Sequence, residues 1–392
     1  MLESKILHVM LDEKFLDMAY RDFETVSPNT SIYTIPKEGY TLKYIKTFIP
    51  FECTINDYQK LFRENNIKAV VFHSLNPKFY SIFDVLPSGV KTLWVGWGYD
   101  YYSTLLADHY ENGLYLAHTI AAMHEAKNKF SLRNIIRKVS TSYRIGFQNS
   151  LNKLFFSKKV INYSEIYNKI NYFSPVLEIE FYLANAVKYD FSFVEWNYGN
   201  IQDDYLISND KTEGDPQHIL VGNSATPENN HIDMFINLVN NYDIKDRYIY
   251  CPLSYGDLEY SKVVINEGYK LFGDKFKPLC DFLEKDEYFK ILNSCGFVFM
   301  NQLRQQAVGN VLSLLCNGSK LFLNKKNPLY SHLQDLGVSV SEIDSNKRVD
   351  KIKLEPLSHE ESINNKLLVM KNWHRDKNLD LTRNLVNTLI SD

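Results

Sequence analysis

The sequence lacks the patterns that mark disulfide, metal and dinucleotide chemistry. Its five cysteines are odd in number and include no C-x-x-C pair, so neither a disulfide framework nor a cysteine zinc site is expected. The ten histidines contain no H-x-x-x-H pair, and the chain has no Walker loop, no G-x-S-x-G elbow and no G-x-G-x-x-G turn. We therefore expect a reducing compartment, no metal site and no resident cofactor.

Long apolar runs are missing as well. No stretch approaches the roughly 18 apolar residues that a membrane span needs, and the first residues show no cationic region followed by an apolar core. A net charge of −3 gives no reason to expect nucleic acid as a partner. These absences predict a cytoplasmic protein that is soluble or peripheral on a membrane.

Short apolar runs alternate with helical periodicity, which predicts an α/β protein with parallel sheets of Rossmann type. A length of 392 residues suits two such domains. A further β-rich piece is predicted at residues 41–49. The predicted strands include 6–10, 69–73, 91–95, 219–221, 296–300 and 320–323. The predicted division is a first domain 1–208, a polar linker 209–217, a second domain 218–372 and a terminal helix 373–392 that can return to the first domain.

The stretch 219–231 has the pattern of a strand, a small-residue turn and a helix start. Gly222, Asn223 and Ser224 form the turn, and apolar residues recur at helical spacing after it. Such a turn brings backbone N–H groups and the positive end of a helix dipole together, which is suited to binding a phosphate. The alternative is that Asn223 and Ser224 only cap a helix.

A basic segment, residues 126–159, contains nine lysines and arginines and no acidic residue. Its apolar residues recur at helical spacing, so it has the pattern of a basic amphipathic helix that lies on an anionic membrane. The membrane-contact candidates are Arg133, Arg137, Lys138 and Arg144. The alternative is a helix that packs normally and exposes a solvated basic face.

Several polar residues stand where predicted strands end, which is where ligands bind in parallel sheets. His73 and Asp100 follow strands of the first domain. In order and spacing, these and other residues resemble the 4-acetamido-4,6-dideoxy-D-galactose (Fuc4NAc) transferases of glycosyltransferase family 56, which act in assembly of enterobacterial common antigen. The resemblance is carried by 219–224, Asn229, His231, Pro252, Tyr255, 304–306, Gly309, 323–324, 327–328, 72–73, 76–77, 97–100 and Tyr102.

The resemblance implies a GT-B fold, in which two Rossmann-like domains face each other across a cleft. It also implies a dTDP-activated Fuc4NAc donor and an acceptor saccharide on undecaprenyl diphosphate, so that the protein works at the inner membrane surface. Residues 103–123 have no counterpart, which leaves the acceptor open. A transferase of another nucleotide sugar in O-antigen or capsule assembly is an alternative, and a sugar-nucleotide-binding protein without turnover is another.

Site roles follow from the resemblance and from the chemistry of glycosyl transfer. The acceptor hydroxyl must lose a proton and the departing diphosphate must be stabilised. Asp100 is the first candidate for the acceptor-side base and His73 the second, although His73 also suits a core position. No D-x-D stands at a strand end in a usable setting, so metal-independent catalysis is expected. The donor-binding candidates are Gly222, Asn223, Ser224, Asn229, His231, Pro252, Tyr255, Arg304, Gln305, Gln306, Gly309 and Asn310.

Overall fold

The structure of the chain, a computed structural model, describes residues 3–39, 41–110, 113–131, 163–184, 189–205, 216–344 and 348–391. Most of the predicted linker, residues 209–215, lies outside these ranges, and so does the basic segment from residue 132 onward. The predicted membrane-contact residues Arg133, Arg137, Lys138 and Arg144 therefore lie outside the described residues.

The first half of the chain builds a parallel sheet with strand order β3-β2-β1-β4-β5-β6-β7. Its central strands are apolar on both faces, as in a sheet covered on two sides by helices. The strands are β1 (Ser4–Val9), β2 (Ser31–Pro36), β3 (Phe51–Cys53), β4 (Asn66–His73), β5 (Lys91–Val95), β6 (Tyr172–Ser174) and β7 (Ser192–Phe193). The helices are α1 (Leu16–Val26), α2 (Ile55–Glu64), α3 (Ala117–Ser131), α4 (Tyr163–Tyr167) and α5 (Glu178–Leu183).

The second half builds another parallel sheet with strand order β11-β10-β8-β12-β13-β14, and β9 pairs with β15 separately. Its strands are β8 (His218–Val221), β9 (Tyr242–Asp243), β10 (Ile249–Pro252), β11 (Phe276–Leu279), β12 (Cys295–Met300), β13 (Lys320–Leu323), β14 (Ser341–Glu342) and β15 (Ile352–Lys353). Its helices are α6 (His231–Asn241), α7 (Leu258–Phe272), α8 (Lys285–Ser294), α9 (Val308–Cys316), α10 (Pro328–Asp335) and α11 (His359–Asn372). A final helix, α12 (Arg375–Ile390), follows.

The prediction of a β-rich piece at 41–49 is wrong, because this stretch is an irregular loop. Two carboxylates from an earlier part of the chain bind its backbone. Asp12 accepts hydrogen bonds from the N–H groups of residues 43–45, and Asp17 accepts from those of residues 46 and 47. Backbone groups satisfied in this way do not need a strand partner.

Two helices cross between the halves of the chain. Helix α12 packs on the first sheet, where Leu385 and Leu389 are fully buried beside Ile6 and Phe23. Helix α3 packs instead against the second domain, where Asp233 accepts hydrogen bonds from the backbone N–H groups at the start of α3. Each sheet is therefore covered in part by a helix from the other half of the sequence. The predicted domain boundary at 209–217 stays a prediction.

Candidate active site

The carboxyl ends of the two sheets face each other. Gly98, in the loop after β5, has φ +93°, and a Cβ on it would lie 3.0 Å from the Arg304 Nη1 atom of the second domain. The backbone N–H of Gln305 donates to the hydroxyl of Tyr102 at 3.2 Å. Lys14, after β1, places its Nζ atom 5.4 Å from the ring centroid of Tyr255. Loops from both sheets thus meet at the position where parallel sheets bind ligands, and we call this junction the cleft.

The turn after β8 packs tightly on the side chains that follow it. Gly222 has φ +70°, and a Cβ there would lie 2.6 Å from His231 Nε2 and 2.8 Å from Asn229 Oδ1. The turn therefore requires glycine both for its left-handed backbone and for its lack of a side chain.

Replacing Gly222 by alanine is expected to lower the free energy of unfolding by about 2 to 4 kcal/mol, because left-handed strain adds to a steric clash. Gly89 is the matched control, since it has φ +83° and a methyl group added there would meet no atom within 4 Å. Gly89→Ala should cost only the backbone strain, about 1 to 2 kcal/mol. Urea unfolding followed by tryptophan fluorescence measures both, and equal losses would contradict the tight packing of the turn.

A network of carboxamides lines the second-domain side of the cleft. Asn229 Oδ1 accepts from the backbone N–H of Asn223 at 3.0 Å and from Gln302 Nε2 at 2.7 Å. Gln302 Nε2 also lies 3.0 Å from Asn223 Oδ1, and Asn223 Nδ2 donates to the Tyr255 hydroxyl at 3.1 Å. Asn229 and Gln302 are almost fully buried. The network holds the turn after β8, the loop after β12 and Tyr255 in one arrangement.

His231 lies beneath this turn. Its Nδ1 atom is 3.2 Å from the hydroxyl of Tyr260, and its Nε2 atom has no hydrogen-bond partner among the described residues. Burial lowers the pKa of His231 to about 3, so the ring is neutral near pH 7. Its placement beside Gly222 agrees with a part in shaping the turn, and its donor-binding role stays a prediction.

Arg304 is a buried cation that forms no ion pair with another described residue. Only 9% of the residue is exposed, and no carboxylate lies within ion-pairing distance among the described residues. Its Nη1 atom donates to the backbone oxygen of Gln305 at 3.1 Å. With the Gln306 amide oriented to satisfy its neighbours, the amide oxygen accepts from Arg304 Nε at 3.3 Å and its nitrogen donates to Asn223 Oδ1 at 3.3 Å. Neutral oxygens solvate the guanidinium, and its Cζ atom lies 5.8 Å from the ring centroid of Tyr102.

A buried carboxyl group of the first domain supports the contact between Tyr102 and the Arg304 loop. Glu180 accepts hydrogen bonds from Tyr101, at 2.8 Å, and from Tyr102, and it also accepts from the backbone N–H of Leu177. Burial raises the pKa of Glu180 to about 7, against the effect of these donors and of the positive charge of Arg304. Through Tyr102, this group supports the Gln305 backbone and hence the position of the Arg304 loop.

The two predicted bases of the first domain have full sets of hydrogen-bond partners. Asp100 Oδ2 accepts from the backbone N–H of Leu75 at 2.8 Å and from Trp94 Nε1 at 2.7 Å, and Oδ1 accepts from the N–H of Trp97 at 2.9 Å. Burial raises the pKa of this carboxyl group, and the three donors oppose that shift. Asp100 thus ties the loops after β4 and β5 together, and its role as base stays a prediction.

His73 is fully buried in the first domain. Its Nε2 atom lies 3.0 Å from His8 Nδ1, and its Nδ1 atom lies 2.6 Å from the hydroxyl of Tyr198. Burial lowers the pKa of His73 to about 3. These contacts match the core position that the sequence left open for this histidine, and its role as base is untested.

Of the remaining residues predicted to bind the sugar donor, some lie at the cleft and others lie in the core. Tyr255 is half exposed at the cleft, and Pro252 is buried at the end of β10. Gly309 and Asn310 lie inside the first turn of α9, and a Cβ on Gly309 would lie 2.4 Å from the ring of Tyr205. The absence of a side chain at Gly309 is thus explained by close packing on Tyr205.

Sequence reasoning missed Glu13, which follows β1 at the same sheet edge as His73 and Asp100. Burial raises the pKa of the Glu13 carboxyl group, with Lys14 opposing the shift and Asp12 adding to it. Burial also raises the pKa of the Tyr99 hydroxyl, and the charge of Glu13 adds to that shift. The strand-end rule that selected His73 applies equally to Glu13, so the signal was present in the sequence.

The described residues contain no group of three His, Cys, Asp or Glu side chains placed to hold a metal ion. Within the same ranges, no helix combines the length and the apolar character needed to cross a bilayer.

Part of the chain, mostly in its second half, is similar to a known protein family. Residues 179–355 match the family model described as 4-alpha-L-fucosyltransferase, glycosyl transferase group 56. Among solved structures, the trehalose-6-phosphate phosphatase N-terminal domain of Candida albicans has a TM-score of 0.56 at 11% identity, covering 99% of this chain and 97% of that one. HepE from Anabaena, in complex with UDP and glucose, has a TM-score of 0.51 at 10% identity, covering 99% and 96%.

A glycosyltransferase of avilamycin A biosynthesis, AviGT4, has a TM-score of 0.50 at 8% identity, covering 98% of this chain and 96% of that one. At such identities the likeness shows the fold alone. Together with the two parallel sheets, it confirms the prediction of an α/β protein with a GT-B fold.

Proposed function

We propose that this chain, a GT-B glycosyltransferase whose residues 179–355 belong to glycosyltransferase group 56, transfers a 4-acetamido-4,6-dideoxyhexose from a dTDP-linked donor. The acceptor is a saccharide linked to polyprenyl diphosphate at the inner face of the cytoplasmic membrane. The observation that carries the donor half of this proposal is Arg304, a buried guanidinium that forms no ion pair with a carboxylate among the described residues.

An anionic ligand accounts for a buried cation of this kind. Leaving a charge unpaired in a protein interior costs several kcal/mol, unless a partner of opposite charge arrives. A diphosphate offers several oxygens in the geometry that a guanidinium binds with two parallel hydrogen bonds. We place the diphosphate between Arg304 and the turn at 222–224, with Asn223 and Gln306 beside it.

The donor nucleoside fits beside the same network. Tyr255 is half exposed and joined to Asn223, so its ring is a fixed surface for the thymine. Arg304 then serves a second purpose, because negative charge grows on the diphosphate as the bond from the sugar C1 to the phosphate oxygen breaks. A fixed cation at this position stabilises the leaving group without a metal ion, and we expect EDTA to leave the rate unchanged.

The first domain provides the acceptor side. In the transfer, the acceptor oxygen forms the bond to the sugar C1 while its proton passes to a base. We place Glu13 in that role beside the earlier candidates Asp100 and His73. The Glu13 carboxylate accepts no hydrogen bond from another described residue. In contrast, both carboxylate oxygens of Asp100 and both ring nitrogens of His73 already have hydrogen-bond partners.

Contact with an anionic membrane would bring the lipid-linked acceptor to this cleft. The basic segment 126–159 supports such contact through its composition alone. It continues from α3, which packs on the second domain beside the cleft loops.

A donor panel tests this function. The full chain is mixed with the polyprenyl-linked acceptor and with either the dTDP-linked 4-acetamido sugar, other dTDP-sugars or UDP-sugars, and release of free nucleotide diphosphate is measured. We expect release at least tenfold faster with the dTDP-linked 4-acetamido sugar, and only when acceptor is present. Faster release from another donor would favour O-antigen or capsule assembly. Binding of a donor without release from any would identify a non-catalytic binding protein.

A further inference from the structure

Apolar side chains are exposed along residues 44–55, at the outer edge of the first sheet, and we name this stretch the apolar ledge. Ile49 is 89% exposed, Phe51 65%, Tyr44 39% and Ile55 36%. Scattered single apolar residues on a surface are ordinary, but four within twelve consecutive residues are typical of an interaction site.

The apolar ledge is held in a fixed conformation. Asp12 and Asp17 together bind the backbone N–H groups of residues 43–47, as described above. The loop also has its own interior, because Ile45 is only 3% exposed and Phe48 stacks on Tyr20 with ring centroids 4.5 Å apart. The exposure of Ile49 and Phe51 is therefore a property of an ordered loop that has already buried its other apolar residues.

The apolar ledge lies beside the acceptor side of the cleft. Its loop leaves the carboxyl end of β2, the same sheet edge at which Glu13 follows β1. Asp12 and Asp17 flank Glu13 and Lys14 in the chain and bind the loop directly. The position of the apolar ledge is thus coupled to the position of the acceptor-side carboxylate.

Lysines and carboxylates both border the apolar ledge, and the carboxylates of Asp12 and Asp17 accept hydrogen bonds from its backbone N–H groups. Lys37, Lys43 and Lys46 are exposed and have no ion-pair partner among the described residues. The neighbouring acid Glu38 pairs with Lys78 at 2.7 Å. Glu52 is the single acidic residue between positions 44 and 55. The lysine side chains are exposed, whereas Asp12 and Asp17 are engaged by the backbone of the loop. Apolar side chains bordered by exposed lysines match the interface of a bilayer that contains anionic lipid, where acyl chains and phosphate groups lie side by side.

We propose that the apolar ledge inserts Ile49 and Phe51 into the interface of an anionic membrane and so holds the acceptor side of the cleft at the bilayer surface. The choice of lipid as the occupant rests partly on the proposed function, since a lipid-linked acceptor lies at that surface. The contact itself is a property of residues 44–55 and does not depend on the basic segment 126–159.

Vesicle co-sedimentation of the full chain tests the proposal without donor or acceptor. Two kinds of vesicle serve as probes. The anionic vesicles contain phosphatidylethanolamine with roughly 30% phosphatidylglycerol, and the vesicles without net charge contain phosphatidylcholine alone. We expect Ile49→Ser with Phe51→Ser to weaken binding to the anionic vesicles about tenfold or more. Phe282→Ser is the matched control, because Phe282 is 89% exposed in the second domain, and it should bind like the parent. Lys43→Glu with Lys46→Glu should weaken binding to anionic vesicles only.

Three results would overturn the proposal. The first is co-sedimentation of the Ile49/Phe51 double variant at the level of the parent. The second is loss of binding only upon charge reversal at Arg133, Arg137 and Lys138, which would assign the contact to the basic segment. The third is conversion of a dimer to a monomer by the double variant in analytical ultracentrifugation with vesicle binding unchanged, which would assign the surface to a second copy of the chain.

An activity measurement separates this proposal from the function. With a water-soluble acceptor that lacks the polyprenyl chain, the double variant should turn over at the parental rate. With the lipid-linked acceptor in vesicles, its rate should fall about as much as its binding. If no variant and no parent protein turns over either acceptor, the proposed function fails, while the sedimentation result for the apolar ledge still stands on its own.

Discussion

Arg304→Ala is expected to weaken dTDP binding by a factor of about 100 to 20,000. The guanidinium can donate two charge-assisted hydrogen bonds to a diphosphate, each contributing about 1.5 to 3 kcal/mol, and a tenfold change in Kd corresponds to about 1.4 kcal/mol. Titration calorimetry with dTDP measures the loss directly. Arg304→Lys should give an intermediate Kd, because it keeps the charge and loses the planar fork.

The same variant should leave the ligand-free protein as stable as the parent or more stable by about 1 kcal/mol. Arg304 has no ion pair to lose among the described residues, and relief of the desolvation cost of a buried charge is expected to outweigh the loss of its contacts with Gln305 and with the ring of Tyr102. Arg247 is the control, since it donates to the backbone oxygen of Leu354 at 3.1 Å within the second domain. Arg247→Ala should lower stability and keep dTDP affinity. Unchanged affinity in Arg304→Ala, or a parallel loss in Arg247→Ala, would contradict the donor site.

The strands that build both sheets could be predicted because burial on two faces leaves an uninterrupted apolar run. Strands β4, β5, β8, β12 and β13 all contain such a run, and the structure has each of them at the expected place. The prediction of a β-rich piece at residues 41–49 was wrong for a physical reason. Their backbone partners are the carboxylates of Asp12 and Asp17, about thirty positions earlier, and local residue preference contains no information about such a pairing.

The candidate site also contains residues that could be predicted from the sequence and residues that could not. Residues 222–224 and 304–306 could be predicted to meet, because β8 and β12 are neighbouring parallel strands and their carboxyl ends share one edge. Gln302 and Glu180 could not be selected, since each matters only through partners in another loop or domain. For His73 the strand-end rule gave the position but not the direction of the side chain, which points to His8 on the neighbouring strand.

Glu13→Gln is expected to lower the rate of transfer by about 100-fold to 10,000-fold, the usual contribution of a general base, with dTDP affinity unchanged. The carboxylate must be unprotonated to accept the hydroxyl proton. Burial raises its pKa above the ordinary value, so the parental rate should fall as the pH is lowered through that raised pKa. The glutamine amide does not titrate in this pH range, so the residual rate of the variant should not show that limb of the pH profile.

Comparison of Asp100→Asn with Glu13→Gln, in stability and in transfer rate, distinguishes the two candidate bases. Asp100→Asn turns an acceptor into a donor opposite one of three N–H groups, so a stability loss of about 1 to 3 kcal/mol is expected with any loss of rate. Glu13→Gln breaks no hydrogen bond among the described residues and should unfold like the parent. If Asp100→Asn abolishes transfer while keeping both stability and dTDP binding, and Glu13→Gln keeps more than about a tenth of the parental rate, then Asp100 is the base. The opposite pattern assigns the proton to Glu13, since a group that only positions its neighbours would change affinity or stability before it removed one limb of a pH profile.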